Sequence, residues 1–284
     1  VVHVVTAHRQ REGAGFIVRR PFPTAGLGLA DPFLMLDEMG PVDYAPGQAV
    51  GAPDHPHRGF ETVTCLLEGE TEHEDSAGHR GTLGPGDVQW MTAGRGVVHS
   101  EMPSARVRRE GGRVHGFQLW VNLPARDKMM APRYQEIPRA RIPEATSTDG
   151  LAHVRVVAGE ALGASARIET RTPIAYHDWT LRPGARLEVP IPPAYSVYVY
   201  VFGGAVTVSG SQLADGQLGV LGEGDTVSLQ VAETAAEPAR LLLLAGVPLR
   251  EPVVSHGPFV MNTRQEILEA VRDYQSGRMG AILR

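Results

Sequence analysis

Two stretches of this chain repeat one another, and the repeat limits the architectures open to it. Thr62–Leu67 is a β-prone run that meets a turn at Gly69, and Tyr195–Phe202 is a second such run, ending at Gly203-Gly204. Gly84-Pro85-Gly86-Asp87 follows the first, and Gly222-Glu223-Gly224-Asp225 follows the second. From glycine to glycine the step is 17 residues in the first half (Gly69 to Gly86) and 20 in the second (Gly204 to Gly224). Like runs at like intervals point to a duplicated β unit. Its 33 glycines and 22 prolines supply many turns, and helix-favouring runs are scarce. A β-rich chain in two folded halves is the expectation.

Within the first half, Asp54-His55-Pro56-His57 and His99-Ser100-Glu101 each place two ligand-type side chains two residues apart. In a strand, residues i and i+2 share a face. Two such strands side by side in a barrel bring His55, His57, His99 and Glu101 to one interior point. One His-x-His is weak evidence alone, since many such pairs sit in surface loops; two matched pairs beside glycine-rich turns are harder to dismiss. Three imidazoles and a carboxylate suit a divalent transition metal. Zinc prefers to close a tetrahedron there, whereas Fe(II), Mn, Co or Ni accept six ligands and leave positions for water, O2 or substrate; Cu is a further candidate. Aligning Gly69 with Gly204 sets His55 and His57 opposite Pro190 and Pro192. Aligning Gly86 with Gly224 sets His99 and Glu101 opposite Glu237 and Ala239. One metal per chain, in the first half only, is expected.

The remaining residues bound the function class. A formal charge of −5 gives no basis for direct nucleic-acid binding. Arg106, Arg108, Arg109 and Arg113 cluster around Gly111-Gly112, and a solvated loop is the expectation. Cys65 is the single cysteine, so no internal disulfide forms; it reads as a small buried packing residue, and the cytoplasm is the expected compartment. The start, Val1-Val2-His3-Val4-Val5, lacks the pattern of a signal peptide, and no apolar run reaches membrane-spanning length. His73 is expected at the surface, and His115 as a hydrogen-bonded strand-end residue. Residues 125–150 look like the connection between halves, giving domains at 1–130 and 131–284. Thr263-Arg264-Gln265-Glu266 is a capping box, and Ile267, Ala270, Val271 and Tyr274 recur at helical spacing before Gly277. A short helix at about 264–276, packed on a barrel, is expected.

Several runs together resemble the pirin family: Asp31-Pro32-Phe33, Asp54-His55-Pro56-His57-Arg58-Gly59-Phe60-Glu61-Thr62-Val63, Gln89-Trp90-Met91-Thr92-Ala93-Gly94-Arg95-Gly96 and Val98-His99-Ser100-Glu101-Met102-Pro103. So do Gln118-Leu119-Trp120-Val121-Asn122-Leu123-Pro124 and His256-Gly257-Pro258-Phe259-Val260-Met261-Asn262-Thr263. The resemblance implies an all-β bicupin, two antiparallel β-barrels of the double-stranded β-helix (jelly-roll) kind with a short C-terminal helix. It also implies one metal, usually iron as Fe(II), held in the N-terminal barrel by the positions of His55, His57, His99 and Glu101. Glu61, which supplies the carboxylate ligand in many other cupins, is then a supporting residue. The implied activity is quercetin 2,3-dioxygenase, cleaving a flavonol with O2, with Glu101 as the proton acceptor. The alternative is a non-enzymatic, iron-dependent, redox-responsive regulator that binds a transcription factor or metabolic enzyme as its protein partner. A monomer is expected.

Overall fold

The computed structural model describes residues 1–284. In chain order the first twelve strands are β1 (His3–Thr6), β2 (His8–Glu12), β3 (Phe16–Phe22), β4 (Phe33–Tyr44), β5 (Ala52–His57), β6 (Phe60–Glu68), β7 (Thr71–Asp75), β8 (Arg80–Leu83), β9 (Val88–Thr92), β10 (Val97–Pro103), β11 (Gly112–Asn122) and β12 (Arg133–Ile137). The chain divides into two compact units. One comprises Arg9–Arg20, Phe33–Arg139 and Arg250–Arg284; the other comprises Val1–His8, Pro21–Pro32 and Ala140–Leu249.

The unit containing Phe33–Arg139 is built from two antiparallel sheets. One runs β12-β9-β6-β11-β4-β3-β2, and the other β5-β10-β7-β8. β6 has its first seven residues buried, so both faces of this central strand are covered, as its near-continuous apolar and threonine composition allows. Cys65 lies in this strand, buried. The second unit repeats the plan. A sheet of β1, 217–220, 196–203, 239–246, 174–181, 152–158 and 144–146 accompanies one of 186–190, 226–230, 205–208 and 211–214. Its interior is apolar, with Val154, Trp179, Val199, Leu213, Leu229 and Leu243 all fully buried. The duplicated, mostly β architecture agrees with the sequence reading.

Three expectations are corrected by the topology. First, the units are not cut at residue 130. β1 pairs with 217–220 in the second unit's sheet, while residues 250–284 belong with the first barrel. Such terminal exchange depends on long-range pairing, which leaves no local mark on composition. Second, the two Gly-x-Gly-Asp turns are not equivalent. Gly84–Asp87 joins β8 to β9, whereas Gly222–Asp225 precedes 226–230, the strand that occupies the place of β10. The strands at the places of β5 and β10 are therefore 186–190 and 226–230, where Val189, Val227 and Leu229 face the core and Glu188, Pro190 and Gln230 are exposed. Glu237 and Ala239 are not the counterparts. Third, the arginine-rich stretch is not a loop. Ala105–Glu110 forms a helix, α1, capped by the Ser104 side chain, which accepts from the Val107 amide. Arg106 and Arg108 lie 3.7 and 3.5 Å from Glu70 and Glu72.

The expected C-terminal helix is present as α2, Arg264–Gln275, with both halves of its capping box formed. Ile267 and Ala270 bury against Val98, Phe259, Met261 and Met279.

Candidate metal centre

β5 and β10 run antiparallel with His99 opposite His55 and Val97 opposite His57. Alternation then turns all three imidazoles to one face. The ring centroids lie 4.7 Å apart for His55 and His57, 4.4 Å for His55 and His99, and 4.9 Å for His57 and His99. One ring nitrogen from each falls in a group whose members all lie within 4.8 Å of one another. His57 and His99 are 2% and 1% exposed.

The protonation pattern favours a cation. His55 Nδ1 is 2.7 Å from the Pro53 carbonyl, which can only accept, so Nδ1 carries a proton and Nε2 is the nitrogen turned toward the other rings. Nε2 of His57 is 3.1 Å from it. Burial pushes the His57 imidazole well below its usual pKa and the His99 imidazole down to about 4, with neighbouring imidazoles adding to both. Neutral rings are the form a metal requires. Neither ring nitrogen of His99 has a hydrogen-bond partner. A buried polar atom without a partner costs about 1–3 kcal/mol, and an ion held by His99 together with His55 and His57 would remove that cost. The residues present fit a divalent transition metal.

Glu101 is not in the three-histidine group, but it follows His99 by two residues on β10 and so shares its face. The β5–β10 register shifts between His99 and Glu101, and on its other edge β10 sets Glu101 opposite His73 of β7. Its carboxylate is held from the facing sheet: Thr64 Oγ1 donates at 2.9 Å to one oxygen, and Gln118 Nε2 at 2.8 Å to the other. Thr64 and Gln118 are themselves cross-strand partners. Burial raises the Glu101 pKa, but the neighbouring His99 and His55 imidazoles and these two hydrogen bonds outweigh it, so the group sits below its ordinary value. Each oxygen keeps a second lone pair for a proton or a cation.

Of the other residues singled out from sequence, Glu61 accepts a hydrogen bond from Thr92 Oγ1 at 2.6 Å and lies outside the histidine group. His115 meets Glu38 at 2.9 Å. His73 corrects the expectation of exposure: it is 2% exposed, 2.8 Å from Gln89 Nε2 and 3.1 Å from Glu136. Thr71–Asp75 is uniformly polar, so sequence gave no inward face, yet alternate residues of β7 point into the barrel. Gly81, opposite His73, makes room, since a Cβ there would come within 2.4 Å of the ring. Sequence reasoning also missed Thr64, Gln118 and Trp120, whose ring lies 5.2 Å from that of His57. Their signal was present: Gln118 and Trp120 share one face of the alternating strand β11.

Two duplicated antiparallel barrels, one of them gathering a His-x-His strand and a third imidazole, define a two-domain cupin. The Pirin family model matches residues 15–121, and the Pirin C-terminal cupin domain matches residues 176–280. A pirin-like protein of Solanum lycopersicum is 47% identical, the match covering 99% of this chain and 92% of that protein. A putative quercetin 2,3-dioxygenase of Pseudomonas aeruginosa is 42% identical over 96% of this chain and 95% of its own length. Among solved structures, a quercetin 2,3-dioxygenase from Acinetobacter baumannii superposes with a TM-score of 0.92 at 40% identity, covering 99% of this chain and 98% of that one. The chain belongs to the pirin family. No helix is long and apolar enough to cross a membrane.

Proposed function

We propose that this protein is a metal-dependent dioxygenase that cleaves flavonols such as quercetin with O2, using Fe(II) held by His55, His57, His99 and Glu101. The observation that carries the reading is the convergence of three imidazoles, those of His57 and His99 fully buried. The names of the Pseudomonas and Acinetobacter relatives supply the substrate class. The metal, when bound, contributes Lewis acidity and a path for electrons between substrate and O2.

The chain's own part is orientation and proton handling. Glu101 is the acceptor for the flavonol hydroxyl proton, at a carboxylate oxygen that Thr64 and Gln118 hold in a fixed direction. A general base must lie within hydrogen-bond reach of the proton it takes, and fixed donors keep it there. The Trp120 ring lies 4.3 Å from that of Phe60, tilted by 32°, and 5.2 Å from that of His57, which puts an aromatic surface beside the site for a flat ligand.

The test is oxygen uptake with quercetin by protein reconstituted with Fe(II), Mn, Co, Ni or Cu in turn. Turnover above that of the free metal is expected for at least Fe(II). No turnover with any of them overturns the reading. A Glu101→Ala protein that binds metal normally should lose about 100-fold or more in rate; full activity would remove Glu101 from the proton step.

A further inference from the structure

The strand that carries His55 and His57 has a second face. Alternation turns those two inward and Asp54 outward, and Arg58 follows directly after the strand's last residue. Both Asp54 and Arg58 are gripped by the C-terminal segment. Arg58, 5% exposed, donates from one terminal nitrogen to Asp273 of α2 at 2.7 Å and from Nε to the Arg95 carbonyl at 2.6 Å. Its backbone is bound as well: the Arg58 amide donates to Pro258 at 3.3 Å, and the Val260 amide donates to the Arg58 carbonyl at 3.0 Å. Arg284 forms a two-pronged pair with Asp54 at 2.6 and 3.1 Å.

The junction next to His57 is built for this approach. Gly59 has φ +90°, and a Cβ there would lie 2.0 Å from the Val260 carbonyl oxygen. Lys128, the only lysine in the chain, is buried and donates to Gly59 O at 2.7 Å, Asn122 Oδ1 at 2.7 Å and Val260 O at 3.0 Å. The third ligand is backed from the same side, because Val98, one residue before His99, packs against Ile267, Ala270 and Met279. Each histidine thus has a neighbour in sequence that the C-terminal segment holds in place.

We infer that Asp273 is a positioning residue for the metal centre, acting through Arg58 on His57, so that docking of α2 and binding of the ion reinforce each other. The inference rests on the metal reading above. Coupling of this kind is reciprocal: whatever α2 adds to metal affinity, the metal adds to the docking of α2.

Co(II) tests it, because its visible absorption reports ligand geometry. Wild-type protein should bind one Co(II) per chain, and His99→Ala should not. Asp273→Asn, which removes the charge on Arg58's partner, should remain folded but bind Co(II) about tenfold more weakly, with an altered spectrum, as loss of a supporting contact typically does. Asp273→Glu, which restores the pair, should recover both. Trypsin cleavage within α2 should slow when Co(II) is added to wild type and slow much less in Asp273→Asn. If Asp273→Asn matches wild type in affinity and spectrum while wild type binds normally, the positioning role is overturned and the metal reading stands. If wild type takes up no Co(II), or His99→Ala takes it up equally, the metal reading falls and the inference falls with it.

Discussion

Two histidines in this chain are fully buried with both ring nitrogens unpartnered, and their surroundings give them opposite meanings. His99 lies among two further imidazoles, where an ion would satisfy it. His177 stands in the apolar barrel, cross-strand from Val156 and Leu243, with Trp179 the nearest ring at 6.2 Å. No ligand set surrounds it, and burial alone lowers its pKa to about 4. Between pH 6.5 and 4 the unfolded chain protonates this ring and the folded chain does not. Unfolding therefore takes up a proton, and the stability is present above pH 6.5 and lost as the pH falls toward 4. His177→Leu should stabilise the protein by about 1 kcal/mol at neutral pH, by removing an unpartnered polar group. The gain should grow by roughly a further 2–3 kcal/mol near pH 4.5. Urea midpoints of both proteins at the two pH values check this. Parallel pH dependence would show that His177 is not the group being protonated.

At the scale of elements, α2 shows what a local signal can and cannot fix. Its start is set by Thr263, which accepts from the Glu266 amide at 3.2 Å while Glu266 returns a carboxylate oxygen to the Thr263 amide at 2.8 Å. Thr263→Ala should cost about 1 kcal/mol and speed amide exchange across Arg264–Gln275 more than in β6; equal exchange in both proteins would mean that packing alone holds the helix. The box and the stripe of Ile267 and Ala270 are nearest-neighbour chemistry, so this helix was legible to within a residue. The ligand histidines were legible for a related reason: spacing of two fixes a face wherever a strand forms. What the helix docks on was not legible, because that depends on Val98 and Phe259, some 170 and 8 residues before Ile267. His73 was misjudged for want of its partner Gly81, and the second Gly-x-Gly-Asp turn for want of knowing which strands it joins. The pairing of β1 with 217–220 leaves no trace in either segment alone.

Across the whole molecule, one scaffold is used twice with two kinds of interior. The barrel of 140–249 fills its centre with Val, Leu and Trp179, and apolar packing needs no ion. The barrel of 33–139 places three imidazoles and Glu101 inside, groups whose mutual burial becomes favourable when a cation joins them. The counterpart strands 186–190 and 226–230 turn Val189, Val227 and Leu229 inward and carry no histidine. Metal should therefore act on half of the molecule. With Fe(II) or Co(II) at a hundred times its dissociation constant, the folded state gains about 2.7 kcal/mol. That gain should appear as slowed amide exchange in β5 and β10, with little change in 186–190 and 226–230. A chelator should reverse it. Hydrogen exchange with and without metal reads both barrels in one experiment. Equal protection of 186–190, or uptake of two ions per chain, would show that the second barrel has kept a site of its own, and the division of labour argued from these two interiors would be wrong.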